Sequence, residues 1–244
     1  MGLLDGGCAS RLFTHSPCPA GGTPVLRCAK DKDQGVYYHG VDSVTGFVLA
    51  GGESSRMGQD KAFMQLGGRT LLAHALERLQ AAAGNAWIVG SAKKFAAFGA
   101  VVEDLYPGRG PLAGIQAALT GSQTELNLIT GVDMPFLDLD FLKYLIARAR
   151  ASQAVVVVPR AGGRLQPLCA IYRKDFAGVA KRSLRAGKNK VDSLFSEVQT
   201  LVIEPSEWER NGFTEEMFRN LNTVQDWQEA QQKLGAWVMR RIYD

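Results

Sequence analysis

Gly51 and Gly52 interrupt the apolar run Phe47-Val48-Leu49, and Arg56 and Lys61 follow before any helical pattern begins. Adjacent glycines after a strand can turn successive backbone N–H groups inward and make a concave anion site. A guanidinium and an ammonium beside it can neutralise phosphate oxygens. Further along, Asp104 follows Val101-Val102, and Asp133 follows the run ending at Ile129, in the string TGVDMPF. A carboxylate at a strand end can hold Mg2+ against phosphate oxygens. The chemistry that suits this set is the handling of a nucleoside triphosphate. Two familiar nucleotide loops are absent. GxxxxGK[ST] fails because Gln59-Asp60-Lys61 follows Gly58, and GxGxxG fails because the glycines are adjacent, which argues against P-loop hydrolysis and ordinary NAD binding. Taken alone, each element has a plainer reading: the glycines a turn, Asp133 a helix cap, Lys61 a solvated lysine.

The elements that must position these residues alternate. Short apolar runs at Ala86–Val89, Ala100–Val102, Leu126–Ile129 and Ala154–Val158 are separated by helical stripes. The stripes are Leu71/Leu72/Ala75/Leu76/Leu79, Leu112/Ile115/Ala118/Leu119 and Phe141/Leu142/Leu145/Ile146. Uniformly apolar strands between amphipathic helices indicate a mostly parallel sheet covered on both faces. The runs Pro167–Tyr172 and Thr200–Ile203 extend that sheet, one of them a candidate antiparallel strand. A last helix is framed by Thr223 as N-cap, Asp226 three residues on, and Gly235 as stop. The expectation is one three-layer α/β domain over residues 44–236, followed by a tail, 237–244. In such a sheet ligands bind outside the carboxyl ends of the strands, which would bring the glycine loop, the cations and both carboxylates to one edge.

With 244 residues the chain can bury a sizeable core, and a formal charge of +4 admits an anionic small substrate without demanding nucleic acid. No apolar run reaches the ~20 residues of a membrane span. Cys8, Cys18, Cys28 and Cys169 form no CxxC pair, so free thiols in a reducing cytosol, and a cytoplasmic protein, are the expected state. Residues 1–43 carry neither a period of 2 nor one of 3.6 and read as a disordered extension. His15, His39 and His74 form no constellation, and His74 reads as a helix-surface residue.

The string LAGGESSRMGQDKA resembles the signature loop of the nucleotidyltransferases that modify molybdopterin, the guanylyltransferase branch in particular. The resemblance continues in order through VEDLYPGRGPLAGI, GVDMPFL, LQPLCAIY and NLNTVQDW, over residues 45–235. It implies a Rossmann-like fold, a Mg2+ requirement, and transfer of GMP from GTP to the terminal phosphate of molybdopterin with loss of pyrophosphate. It also implies GTP and the molybdopterin cofactor as substrates and molybdoenzyme maturation proteins as onward partners, with no nucleic acid and no membrane.

Carried over by position, Leu49, Ala50 and Gly51 line the guanine and ribose side, and Gly52 and Arg56 lie along the triphosphate that Lys61 contacts. Asp104 is a second nucleotide-contacting acid, Asp133 binds Mg2+, and Asn220 and Asn222 lie near the pterin. One departure is that Val89-Gly90-Ser91 stands where the family often has a nucleotide-contacting asparagine. Lys61, Arg56 and Asp133 form the implied catalytic set. Arg160, Arg164, Lys188 and Lys190 could serve the pterin phosphate or form a solvated rim. A cytidylyltransferase on the same pterin, or a sugar-phosphate nucleotidyltransferase, would share the fold; a non-catalytic nucleotide binder would not need both Asp133 and Lys61.

Overall fold

The structure, a computed structural model, describes residues 43–51, 60–223 and 225–232. The expected extension apart from Ser43, Gly52, Arg56, Gly235 and the tail 237–244 lie outside the described residues. Among the described residues the strands and helices follow one another as β1 (Val44–Leu49), β2 (Gln65–Leu66), β3 (Arg69–Thr70), α1 (Leu71–Ala83), β4 (Ala86–Val89), α2 (Ala92–Phe95), β5 (Val101–Val102), α3 (Pro111–Gly121), β6 (Leu126–Gly131), α4 (Leu139–Arg150), β7 (Val156–Ala161), β8 (Arg164–Leu165), β9 (Cys169–Arg173), α5 (Phe176–Arg185), β10 (Thr200–Ile203) and α6 (Pro205–Arg210). A last helix covers residues 225–232.

The main sheet runs β10-β7-β9-β6-β1-β4-β5, with β8 paired to β7. Every neighbour along it is parallel except β9, which lies antiparallel between β6 and β7. All six residues of β1 are buried because the sheet is covered twice. Val48 faces the core built on Leu72, Leu79, Phe141 and Leu145 of α1 and α4, and Phe47 faces the core built on Leu112, Ile115, Phe176 and Ala180 of α3 and α5. That is the expected three-layer arrangement. Cys169 lies fully buried at the start of β9, where burial pushes its thiol well above the ordinary range.

Caps fix the helix starts. Thr70 accepts from Ala73 N at α1, and Asp138 accepts from Asp140 N and Phe141 N at α4. The last helix opens with the reciprocal box read from sequence: Asp226 N donates to Thr223 Oγ1 at 3.1 Å, and Thr223 N donates to Asp226 Oδ2 at 2.9 Å. His74 departs from expectation. It is half-buried, its Nε2 lies 2.8 Å from the Leu66 carbonyl, and it ties α1 to the β2–β3 hairpin. No helix among the described residues is long and apolar enough to cross a membrane.

Candidate functional site

The strands β1, β4, β6, β7 and β10 all point their carboxyl ends to one edge. At that edge Val132 N donates to Leu49 O at 3.2 Å and Ala50 N donates to Val89 O at 3.0 Å, so the ends of β1, β4 and β6 are sewn together. Leu49 and Ala50 turn their side chains into the two cores, leaving backbone to face the edge, and Gly51 is exposed. At the end of β4, a Cβ on Gly90 would come within 2.8 Å of the Phe95 ring, so this close approach requires glycine.

Two segments far apart in sequence meet beside β6. Asp60 accepts from Ala62 N and pairs with Lys94 at 3.1 Å, which fixes the short 3-10 turn Lys61–Phe63. That turn delivers Lys61 Nζ to within 2.6 Å of Asn222 Oδ1 and 3.6 Å of Asp133 Oδ2. The two charged side chains are 19% and 23% exposed. Lys61 is therefore no freely solvated lysine. Nor does Asp133 cap α4, because Asp138 does so. The Asp133 backbone carbonyl accepts from Leu221 N at 2.9 Å, which docks the Asn220–Asn222 segment against the aspartate. Asn220 Oδ1 is buried and has no hydrogen-bond partner among the described residues, an orphan acceptor that a bound donor or cation would satisfy.

The remaining sequence candidates spread along the same edge. Asp104 closes a local turn by accepting from Tyr106 N at 2.7 Å. Gly162 and Gly163, with φ of +57° and +70°, form a two-residue turn from β7 into β8, so the stretch after Val158 is a hairpin carrying an exposed Arg164 rather than an open loop. Arg160 pairs with Glu204 at 3.0 Å on the surface, so its charge is partly balanced before any ligand arrives. The helix α5 starts beside the end of α3, where Lys174 Nζ donates to Ser122 O at 2.8 Å, and runs back toward the active edge, so exposed Lys188 and Lys190 follow it there.

Sequence reasoning missed Arg78. From α1 its guanidinium donates to the carbonyl of Pro135, two residues past Asp133, and burial lowers its pKa from the ordinary value. Only the contact could have revealed it, since Arg78 sits on a helix face like any other. Arg78→Ala should leave the carbonyl of buried Pro135 without its donor and cost about 1–3 kcal/mol of stability, read from the urea midpoint at constant slope. A loss below about 0.5 kcal/mol, the range of ordinary surface changes, would mean that water serves the carbonyl equally well.

A sheet edge with a positioned lysine and a strand-end aspartate suits transfer chemistry on phosphates. A model of the MobA-like NTP transferase domain matches residues 46–201. A protein of Carboxydothermus hydrogenoformans named probable molybdenum cofactor guanylyltransferase is 32% identical over 77% of this chain and 95% of its own length. One of the same name from Pelotomaculum thermopropionicum is 35% identical over 75% of this chain and 89% of its own. Among solved structures, molybdopterin-guanine dinucleotide biosynthesis protein A of Archaeoglobus fulgidus superposes with a TM-score of 0.71 at 23% identity, covering 79% of this chain and 99% of that one. With that domain spanning the ends of β1, β5 and β6, where Leu49, Asp104 and Asp133 stand, the chain belongs to the MobA-like NTP transferases.

Proposed function

We propose that the chain is a molybdenum cofactor guanylyltransferase, transferring GMP from GTP to the terminal phosphate of molybdopterin and releasing pyrophosphate. The observation that carries this reading is the convergence of Lys61, Asp133 and Asn222 beside the end of β6, the neighbour of β1 in the sheet. The relatives' names supply the acceptor and the base.

A phosphate oxygen of molybdopterin attacks the α-phosphorus of GTP. That P–O bond forms as the bond to the β-phosphate oxygen breaks, and the electron pair leaves on pyrophosphate. The nucleophile is already an anion near neutral pH, so positioning and charge neutralisation carry the rate rather than a strong base. Backbone groups of Leu49, Ala50 and Gly51 hold the nucleoside side, with Asp104 as a second nucleotide-contacting acid. Lys61 neutralises the phosphates and is oriented by Asn222. Asn220, Asn222 and Arg164 face the acceptor. Gly52 and Arg56, expected along the triphosphate, fall in the undescribed stretch.

A divalent cation, Mg2+, fits the donor set. Among the described residues no cluster of three or more His, Cys, Asp or Glu forms an all-protein cage, and Mg2+ characteristically takes one or two carboxylates and completes its shell with phosphates and water. Asp133 would hold it, and it would supply charge stabilisation at the reacting phosphorus.

The test is incubation of the chain with molybdopterin, Mg2+ and each NTP in turn. A pterin guanine dinucleotide and pyrophosphate are expected with GTP. A dinucleotide formed with CTP alone would reassign the base, and none with any NTP would overturn the reading.

A further inference from the structure

The turn that carries Asp133 is held mainly from outside itself. β6 ends at Gly131, and α4 begins only at Leu139. Between them the turn's own backbone offers Leu137 N to Met134 O at 3.5 Å, beyond the ordinary length of a hydrogen bond. Among the described residues three neighbours do more. Val132 N donates to Leu49 O of β1 at 3.2 Å, and the Asp133 carbonyl accepts from Leu221 N at 2.9 Å. On the far side of the aspartate, the Pro135 carbonyl accepts from the Arg78 guanidinium of α1. Of these anchors only Arg78 acts through a side chain.

Arg78 is built into its place. Its neighbours Ala75 and Leu79 are buried in the core that α1 shares with α4. Ala75, Arg78 and Leu79 close over Thr130, Gly131 and Met134 and leave a cavity of only about 10 Å³, close to the smallest space that holds one water. Among the described residues the guanidinium has no carboxylate partner, since adjacent Glu77 pairs with Arg69 at 2.7 Å. Burial disfavours its charge. A cation taken partly out of water without a counter-charge lowers stability, so packing alone would be served better by an apolar side chain. What the guanidinium adds is a long planar donor that reaches the turn from the helix layer.

The link from Pro135 back to Asp133 is stiff. The proline ring fixes its own φ and restricts Met134 before it, and both residues are buried. A displaced Pro135 carbonyl therefore carries Asp133 with it. The carboxylate has little slack to absorb such a shift. It folds back over the end of β6, where a Cβ on Gly131 would stand 2.7 Å from Oδ1. Its other oxygen, Oδ2, lies 3.6 Å from Lys61 Nζ.

We propose that Arg78 is a positioning residue for nucleotidyl transfer. From α1 it holds the Pro135 carbonyl and, through Met134, sets where the Asp133 carboxylate meets a phosphate-bound cation. The inference rests on the guanylyltransferase reading, in which Asp133 holds that cation.

Two variants of the full chain test it: Arg78→Met, which keeps the stem and loses the donor, and Arg78→Lys, which keeps the charge on a shorter reach. Calorimetry reads GTP affinity with Mg2+ and with EDTA. Turnover is scored per folded molecule, with urea unfolding as the gauge. Arg78→Met should weaken binding of the Mg2+ complex of GTP by about tenfold, as expected for an outer partner of a metal ligand, and leave affinity in EDTA unchanged. Its kcat should fall about ten- to a hundredfold, and Arg78→Lys should stand between it and the parent. Added to Asp133→Asn, Arg78→Met should lower kcat by less than about twofold further, because it acts through the aspartate.

Equal loss of GTP affinity with and without Mg2+ overturns the proposal, since Arg78 would then be a prop of the whole edge. A second full fall in kcat on the Asp133→Asn background overturns it too. Should Arg78→Met fail to fold, Arg78→Lys decides, and parental kcat and Mg2+-GTP affinity in that variant overturn the assignment. A parent that binds GTP but makes no dinucleotide with any NTP removes the guanylyltransferase reading, while the paired GTP titrations still decide whether Arg78 serves Asp133.

Discussion

Asp133→Asn should fold as the parent does and lose most Mg2+-dependent turnover. The side chain makes little of the fold. Helix α4 is capped by Asp138, and the contact that docks Leu221 uses the backbone carbonyl of residue 133, which the substitution keeps. What changes is a hard, charged oxygen donor at the end of β6. A metal at a reacting phosphoryl group is asked for several kcal/mol of charge stabilisation, and about 1.4 kcal/mol is tenfold in rate, so a fall of about two to three orders of magnitude is expected. The measurement is turnover at saturating GTP and molybdopterin across a Mg2+ titration, with urea unfolding as the control on fold. A variant that works at the parent rate, with the same Mg2+ dependence, would leave Asp133 as a scaffold for the Asn220–Asn222 segment.

How much of this was legible in the sequence follows from what each segment buries. The strands β4 and β10 read to the residue because short apolar runs between turn residues have few alternatives. The expected start of β7 at Ala154 falls two residues early, since Ala154 and Val155 precede the ladder. The helix α5 was not read at all. Its buried face is the narrow series Phe176, Ala180 and Leu184 among basic residues, which gives less signal than the broad stripes of α1 and α4. The β2–β3 hairpin hid inside the glycine-rich connection, although Gly67 and Gly68 take the positive φ such a turn needs. At the site, Asp133 and Lys61 were identified by motif, but their contact was not, nor that of Lys61 with Asn222 across 161 residues of sequence. Arg160, read as either a pterin-phosphate contact or part of a solvated rim, pairs with Glu204, which nothing in its own neighbourhood names and which follows the neighbouring strand β10. Pairings between distant segments are products of topology, and a single sequence carries no local trace of them.

Lys61→Ala should move two affinities in opposite directions. Held by the Asp60 turn and by Asn222, the ammonium is presented at the edge with most of its orientational freedom already lost. Its contact with a phosphate is therefore a charge-assisted bond worth about 1.5–3 kcal/mol, and GTP affinity should fall about ten- to a hundredfold. Without nucleotide the same ammonium lies 3.6 Å from Asp133 Oδ2 and neutralises the carboxylate that would take the cation. A pair at 3.6 Å whose side chains both keep some contact with solvent contributes only about 0.2–1 kcal/mol. Removing it should tighten Mg2+ binding to the nucleotide-free chain by a factor of about five at most. General damage to the edge would weaken both ligands, so the opposed signs separate a direct role from a structural one. Calorimetric titration of GTP and of Mg2+ separately, on parent and variant, reads both. Unchanged GTP affinity would show that the lysine serves the Asn222 segment rather than the nucleotide, and Mg2+ affinity that falls together with that for GTP would place its effect in the shape of the edge.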